Sequence, residues 1–185
     1  MAAFRNSVAV FGSSEPPPGS PAYREAEEVG RRLAESGCTV VNGGYGGVME
    51  ASARGAREAG GTTLGVTTSV LRFRDGANRY IDRERREPDL FTRTRGLIEE
   101  ANAFIILPGK SGTLAEWAFL LALCRADLLG PKPIVLLGHL WEDLLGQLRR
   151  LGIIGEPELA VCRTAGSPEE AVRTVARCLK DAPHL

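Results

Sequence analysis

The stretch AFIILPGKSGTLAE, residues 103–116, contains a complete transition from a strand to a helix. Its first five residues form a continuous apolar run, which is typical of a parallel strand that is buried on both faces. A proline and a glycine end the run, and the short polar residues Ser111 to Thr113 open a helical segment. The stretch therefore predicts one β-α unit with a glycine turn between strand and helix.

The same alternation extends over most of the chain. Further apolar runs are SVAVFG (7–12), CTVVN (38–42), TTLGVT (62–67) and PIVLLG (133–138), and each precedes a segment of helical period. This order predicts a Rossmann-like α/β fold of three layers, with a doubly wound parallel sheet and a single domain over residues 1–185. The residues predicted for the core are Val8, Val10, Val40, Val41, Ile105, Ile106, Val135 and Leu136.

Two helices and one long connection have predicted limits. The first helix is predicted from about Ser20 to Gly37, with Ala26, Val29 and Leu33 on its inward face, and the second from about Val48 to Ala59. Residues 69–88 have no clear period and are predicted to form a long loop. Its charge run, 82–87, is interpreted as a solvated surface, and whether the loop closes over a ligand stays open.

Charge and composition narrow the classes of partner. Lys plus Arg and Asp plus Glu number 23 each, so no net field favours nucleic acid or an anionic membrane, and neither is expected as a partner. The sequence shows no leader pattern and no long apolar stretch, so a cytoplasmic location is expected. The four cysteines form no CxxC pair and the two histidines lack ligand spacing, so neither a metal site nor a disulfide framework is expected.

Glycine-rich turns follow several of the predicted strands. Because the carboxyl ends of parallel strands meet at one edge of a sheet, these turns converge there. Glycine lets backbone N–H groups approach a phosphate, and the following helix adds the partial positive charge of its N-terminus. The turns therefore predict an anion site; its candidate residues are Gly12, Ser13, Gly43, Gly44, Gly46, Gly47, Gly109, Lys110, Ser111, Gly112 and Thr113.

Two common phosphate motifs are absent from the sequence. A P-loop requires a glycine at the position that Phe104 occupies, five residues before Gly109. The turn after the first strand reads GSSEPP and lacks the GxGxxG pattern of dinucleotide-binding proteins. NAD and FAD are therefore disfavoured, and no cofactor is expected.

Three segments together resemble the LOG (Lonely Guy) phosphoribohydrolases, a family formerly described as lysine decarboxylase-like. They are the early GSS turn at 12–14, the glycine segment 43–49, and Arg93 followed by the PGKSGTLAE segment 108–116. The resemblance spans roughly residues 7–137, and the last segment is its most specific part. The variant GGYGGVMEA, with Glu50 in place of a glycine, is similar to a sister branch of the family.

The resemblance implies hydrolysis of the N-glycosidic bond of a purine nucleoside 5′-monophosphate, either AMP or an N6-modified relative. It implies that the turn at 109–113 holds the 5′-phosphate and that Glu116 and Arg93 form the catalytic pair. A carboxylate suits this chemistry, since it stabilises an oxocarbenium-like sugar and positions water. Glu116 alternatively serves only to interact with the dipole of its helix, in whose first turn it is expected to lie.

Two departures from the family pattern keep a second function open. Lys110 replaces the second glycine of the family's PGG, and Thr94 follows Arg93 where the family usually carries lysine. The alternative is a nucleotide or molybdenum-cofactor carrier that binds through the same phosphate cradle without cleaving. A pyridoxal-dependent decarboxylase has little support, because the chain's lysines are Lys110, Lys132 and Lys180, and none has suitable surroundings.

The helix predicted over 111–126 is apolar on more faces than one sheet can cover. Trp117, Phe119, Leu120, Leu121 and Leu123 crowd together in it. A homodimer through this helix is expected, which agrees with the resemblance, and a deeply buried helix is the alternative.

Overall fold

The computed structural model describes residues 6–71 and 76–181. Within these residues one sheet of seven parallel strands has the order β4-β3-β2-β1-β5-β6-β7. The order runs outward from β1 in both directions, so the predicted doubly wound fold is confirmed. The strands are β1 Ser7–Phe11, β2 Thr39–Asn42, β3 Thr63–Thr68, β4 Arg83–Glu87, β5 Ala103–Ile106, β6 Ile134–Leu137 and β7 Cys162–Ala165.

Helices cover both faces of the sheet and form the two outer layers. The helices are α1 Pro21–Glu35, α2 Val48–Glu58, α3 Leu90–Glu99, α4 Ser111–Arg125, α5 His139–Arg150, α6 Glu156–Val161 and α7 Pro168–Asp181. One core cluster joins α1, α2 and α7 to the sheet, and a second cluster joins α3, α4 and α5 to its other face. Three layers are present, as the sequence predicted.

Alternate residues of the central strands enter opposite clusters. In β1, Val8 and Val10 pack in the first cluster, and Ala9 and Phe11 pack in the second. A strand covered on both faces needs apolar residues at every position, which explains the continuous runs in the sequence. All eight residues predicted for the core are fully buried.

The two predicted helix limits are confirmed to within two residues. Ser20 caps α1, since its hydroxyl accepts a hydrogen bond from the Tyr23 amide at 3.3 Å. Helix α2 begins at Val48 and ends one residue before Ala59. The two helices cross at close range, because a Cβ at Gly30 would overlap the carbonyl oxygen of Ser52.

The prediction of a loop over 69–88 is wrong for residues 83–87, which form β4. Its backbone pairs with β3, with Leu64 opposite Arg83 and Thr68 opposite Glu87. Strand β4 lies at the edge of the sheet, and its five side chains are charged and either exposed or half-buried. Its sequence therefore shows no periodic pattern of apolar residues. Part of the predicted loop, residues 72–75, lies outside the described residues.

The C-terminal part supplies an edge strand and two helices that the sequence did not predict. Strand β7 pairs with β6, with Leu137 opposite Ala165, and α7 packs in the first core cluster through Ala171, Val172 and Val175. No helix within residues 6–71 and 76–181 combines the length and the apolar composition that crossing a membrane requires.

Candidate active site

A cavity of about 250 Å³ lies where the strand order reverses, between β1 and β5. Turns after β1, β2 and β5 form its walls, as expected for a ligand site at the carboxyl edge of a parallel sheet. Helices α2 and α3 add one wall residue each, and α4 adds three. The lining residues are Val10, Phe11, Gly12, Ser13, Ser14, Glu15, Gly43, Tyr45, Met49, Leu71, Arg93, Lys110, Gly112, Thr113 and Glu116.

The three turns are bonded to one another through their backbones. The Ser13 amide donates to the Pro108 carbonyl at 3.3 Å, and the Val48 amide donates to the Ser13 carbonyl at 2.9 Å. Gly47 has φ +64°, and a Cβ there would overlap the Ser13 carbonyl oxygen. The glycine at this position is therefore required for the turns after β1 and β2 to meet.

The N-terminus of α4 forms the part of the cavity best suited to an anion. Its N-cap residue, Lys110, makes no side-chain hydrogen bond to the first turn. The first amides of a helix lack intrahelical partners and carry partial positive charge, and Gly112 and Thr113 of this turn line the cavity. Gly109 cannot carry a Cβ without overlapping the Thr113 hydroxyl oxygen. Bare amides, a hydroxyl and the helix dipole together suit a phosphate.

Arg93 and Glu116 meet at one side of this cavity, from α3 and α4. The expectation that Glu116 lies in the first turn of its helix is wrong, because α4 begins at Ser111 and Glu116 is its sixth residue. Arg93 Nη1 lies 3.6 Å from Glu116 Oε1, and the two side chains are 10% and 16% exposed. Arg93 Nε donates to the Val66 carbonyl at 2.9 Å, which ties the side chain to β3. A Cβ at Gly43 would overlap Arg93 Nη2, so glycine at 43 leaves the room that the guanidinium occupies.

The surroundings of Glu116 change its acidity. Burial raises the pKa of this carboxyl to about 7, and the positive charge of Arg93 offsets part of that effect. A carboxyl with such a pKa exists in both protonation states near neutral pH, as a group that exchanges protons with a substrate must. A perturbed acid beside an arginine in a cleft is typical of a catalytic site.

The structure brings together eight of the predicted site residues around the cavity. They are Gly12, Ser13, Gly43, Arg93, Lys110, Gly112, Thr113 and Glu116. The other five, which are Gly44, Gly46, Gly47, Gly109 and Ser111, lie in the same turns but outside the lining of the cavity that the described residues form.

Gly44 shows why a glycine of these turns need not face a ligand. Its amide donates to Asn42 Oδ1 at 2.8 Å, and its carbonyl accepts from the Asn78 amide at 2.7 Å. Its φ is +76°, a conformation that favours glycine. These contacts give Gly44 a role in shaping the second turn.

Several residues that line the cavity were not predicted from the sequence. Tyr45 and Met49 stand inside the glycine segment 43–49, so that segment was the signal available for them. Glu15 pairs with Lys110 at 2.8 Å at the mouth of the cavity. No three His, Cys, Asp or Glu side chains come together as a possible metal site in the described parts of the chain.

These features define a class: a Rossmann-like α/β protein with a glycine-rich anion cradle at the switch point and a buried carboxyl beside an arginine. A profile of the SLOG cluster4 family matches residues 5–150, and the chain belongs to that family. The resemblance to the LOG proteins drawn from the three sequence segments is thereby confirmed.

Curated relatives have related sequences. A protein of Mycobacterium tuberculosis named cytokinin riboside 5′-monophosphate phosphoribohydrolase is 37% identical over 102 residues, 52% of this chain and 54% of that protein. An uncharacterised protein of Archaeoglobus fulgidus is 36% identical over 99 residues, 54% of this chain and 64% of that protein. The chain thus spans between about half and two thirds of the length of these relatives.

Solved structures share the fold over nearly the whole chain. A structural genomics target is 29% identical, with a TM-score of 0.72, covering 93% of this chain and 99% of its own. The molybdenum cofactor carrier protein of Chlamydomonas reinhardtii is 24% identical, with a TM-score of 0.73, covering 96% of this chain and all of its own. At that identity the second likeness shows the fold alone.

Proposed function

We propose that the protein hydrolyses the N-glycosidic bond of a purine nucleoside 5′-monophosphate and releases the free base and ribose 5-phosphate. The observation that carries the proposal is the Arg93–Glu116 pair, 3.6 Å apart, in the cavity that also contains the N-terminal turn of α4. Relatives named phosphoribohydrolases support the reaction class. AMP and its N6-substituted derivatives are the proposed substrates.

The cradle residues hold the substrate by its phosphate. Amides of the first turn of α4 and the Thr113 hydroxyl bind the 5′-phosphate, and the glycine turns after β1 and β2 let the ligand approach the backbone. Fixing the phosphate fixes the ribose relative to the protein, so that C1′ is held near Glu116.

The reaction breaks the bond from C1′ to the purine nitrogen. The purine leaves with the bonding electron pair and takes up a proton from solvent, and the sugar becomes an oxocarbenium ion in the transition state. Ionised Glu116 stabilises that positive charge and accepts a proton from the water whose oxygen bonds to C1′. Arg93 holds the carboxylate in place and favours its ionised form.

The expected pH dependence of the reaction follows from the protonation state that Glu116 must have. Glu116 accepts a proton only when ionised, and the surrounding protein raises its pKa to about 7. The value of kcat/KM is therefore expected to fall as pH decreases below about 7 and to level off above it.

The test is to incubate the purified chain with AMP and several N6-substituted AMPs and to follow free base by chromatography. Glu116→Gln is expected to lower kcat/KM by about 10²- to 10⁴-fold, the usual contribution of a proton-transferring group. Glu156→Gln removes an exposed carboxylate on α6 and serves as the matched control. Base release that survives in Glu116→Gln would contradict the assigned role.

The alternative function is a carrier of a nucleotide or of the molybdenum cofactor. Lys110 is the observation that favours it, since a cation stands at the mouth of the cavity, paired with Glu15 at 2.8 Å. Binding of AMP without release of base from any nucleotide would overturn hydrolysis and favour the carrier. Molybdopterin binding would then be measured directly.

We also propose a homodimer through α4. Leu114 and Phe119 of this helix are each 45% exposed, although Trp117 and Leu120 are buried. Phe119 and Leu128 line an apolar hollow of about 430 Å³ that continues onto α3 at Phe91. An exposed apolar surface of this kind is typical of an interface.

Sedimentation analysis tests the dimer. Phe119→Glu places a charge in the proposed interface and is expected to shift the protein toward monomer. Leu151→Glu, at the end of α5, makes the same change at another exposed apolar position and is the control. A wild type that sediments as a monomer at all concentrations would refute the dimer.

A further inference from the structure

The guanidinium of Arg93 is enclosed on four sides. Its Nε donates to the Val66 carbonyl at 2.9 Å, and Nη1 faces Glu116 at 3.6 Å. Nη2 lies against the Cα of Gly43, where a Cβ would overlap it. On the fourth side, the Arg93 Cζ atom lies 5.5 Å from the centre of the Tyr45 ring. The ring is therefore one of the surfaces that define where the positive charge sits.

Tyr45 is itself held firmly by the end of β3. Its hydroxyl accepts a hydrogen bond from the Thr68 amide at 2.9 Å and donates one to the Thr68 carbonyl at 3.1 Å. The residue is 5% exposed and lines the cavity. A phenol that is bonded twice to one backbone residue cannot slide or turn freely, so its ring presents a fixed face.

We propose that Tyr45 is a positioning residue that holds the Arg93 guanidinium against Glu116 through the face of its ring. Aromatic rings attract cations at this distance, and the attraction strengthens when water is excluded. For its effect on turnover, this inference rests on the proposed function.

The contacts of Arg93 explain why the ring is needed. The bond to Val66 fixes Nε, one of the three guanidinium nitrogens, and the planar group can still turn about the axis of that hydrogen bond. Glu116 is too distant, at 3.6 Å, for a short hydrogen bond to fix them. Without the ring face, the guanidinium gains room to turn about this axis and to move its outer nitrogens away from the Glu116 carboxyl.

Other charges around the cavity do not replace Arg93. The titratable and charged groups among its described lining residues are Glu15, Tyr45, Arg93, Lys110 and Glu116. Lys110 and Glu15 pair with each other at the mouth. Arg93 lowers the pKa of Glu116, so displacement of Arg93 raises that pKa.

Three variants distinguish the effect of the Tyr45 ring from the effect of its hydroxyl. Tyr45→Leu and Tyr45→Met remove the ring face, and Tyr45→Phe keeps it. The two ringless variants are expected to lower kcat/KM about 30-fold, the factor that corresponds to a desolvated cation–π contact. The low-pH limb of their pH profiles should move to higher pH. The Tyr45→Phe profile should lie between those of the wild type and the ringless variants, because Phe keeps the ring face and loses the hydroxyl bonds to Thr68.

A second readout does not depend on turnover. The side-chain carboxyl carbon of Glu116 is titrated by ¹³C NMR in each variant, with Glu116→Gln used to assign the resonance. The midpoint is expected to rise most in Tyr45→Leu and Tyr45→Met and to rise less in Tyr45→Phe, which keeps the ring face. Met offers a flexible side chain that fills irregular space, so it keeps the test available if the Leu variant does not fold.

The outcomes distinguish the two proposals. A raised midpoint in a protein that cleaves no nucleotide supports Tyr45 as a positioning residue and contradicts the hydrolase. Cleavage that is equal in Tyr45→Phe and the ringless variants, with equal midpoints, overturns the role of Tyr45 and leaves the hydrolase intact.

Discussion

Replacement of Glu116 by glutamine is expected to change how the free energy of unfolding depends on pH. The folded chain raises the pKa of this carboxyl from 4.5 to about 7, mainly by burial. At about 1.4 kcal/mol for each pH unit, the difference corresponds to about 3 kcal/mol. Between those pH values the folded state keeps the proton and the unfolded state loses it. Stability therefore decreases as pH rises through this window.

The measurement is urea unfolding of the wild type and Glu116→Gln at several pH values from 4 to 8. The informative quantity is the stability of the variant minus that of the wild type at each pH, because the contributions of all other groups cancel. Glutamine does not titrate, so this difference is expected to increase by about 3 kcal/mol from pH 4.5 to above 7. Any fixed effect of the amide on packing shifts all points equally.

Glu156→Gln, on the exposed surface of α6, is the control for loss of a carboxylate. It is expected to follow the wild type across the pH range far more closely than Glu116→Gln does. A difference between Glu116→Gln and wild type that stays constant from pH 4 to 8 would refute the reasoning. It would mean that burial does not disfavour the ionised carboxyl at this place in the fold.

Three glycine substitutions test local packing. Gly43→Ala is expected to displace Arg93, which its Cβ would overlap, and to lower kcat/KM at least ten-fold in steady-state assays, as loss of a positioned charge does. Gly30→Ala drives a methyl group into the Ser52 carbonyl of α2 and is expected to cost at least about 2 kcal/mol in chemical unfolding. Gly146→Ala, on the exposed side of α5 with open space around its Cβ, is expected to raise stability by up to about 1 kcal/mol, seen as a higher Tm.

The sequence predicts the centre of this fold better than its edges. Residues 103–107 and the other central strand runs are recognisable because burial on both faces demands apolar side chains throughout. Strand β4 carries RERRE, and its place in the sheet depends on backbone pairing with β3. Arg85 of this strand pairs with Glu87 two residues further on, and also with Glu99 and Glu100, which lie 14 and 15 positions away and which no local pattern reveals.

The residues of the candidate site also differ in how far the sequence predicts them. The glycine turns can be predicted from the sequence, because two backbones that approach closely require glycine at the point of contact. The contact between Arg93 and Glu116 joins two helices, and from residue patterns alone Arg93 is an ordinary helical arginine. Tyr45 was missed because its role depends on Thr68 and Arg93, which lie 23 and 48 positions further along the chain.

The Arg93–Glu116 pair is not explained by the stability of the fold. Both charged groups are largely removed from water, and their closest atoms are 3.6 Å apart. The pKa of Glu116 is raised because the effect of burial outweighs the attraction of Arg93. Well-packed apolar residues in place of such a pair often leave a protein equally or more stable. Gly43 nevertheless leaves room for the guanidinium, and the face of the Tyr45 ring lies against it. An arrangement that the stability of the fold does not require, and that is supported from several sides, is expected where a site must meet a ligand with preformed charge.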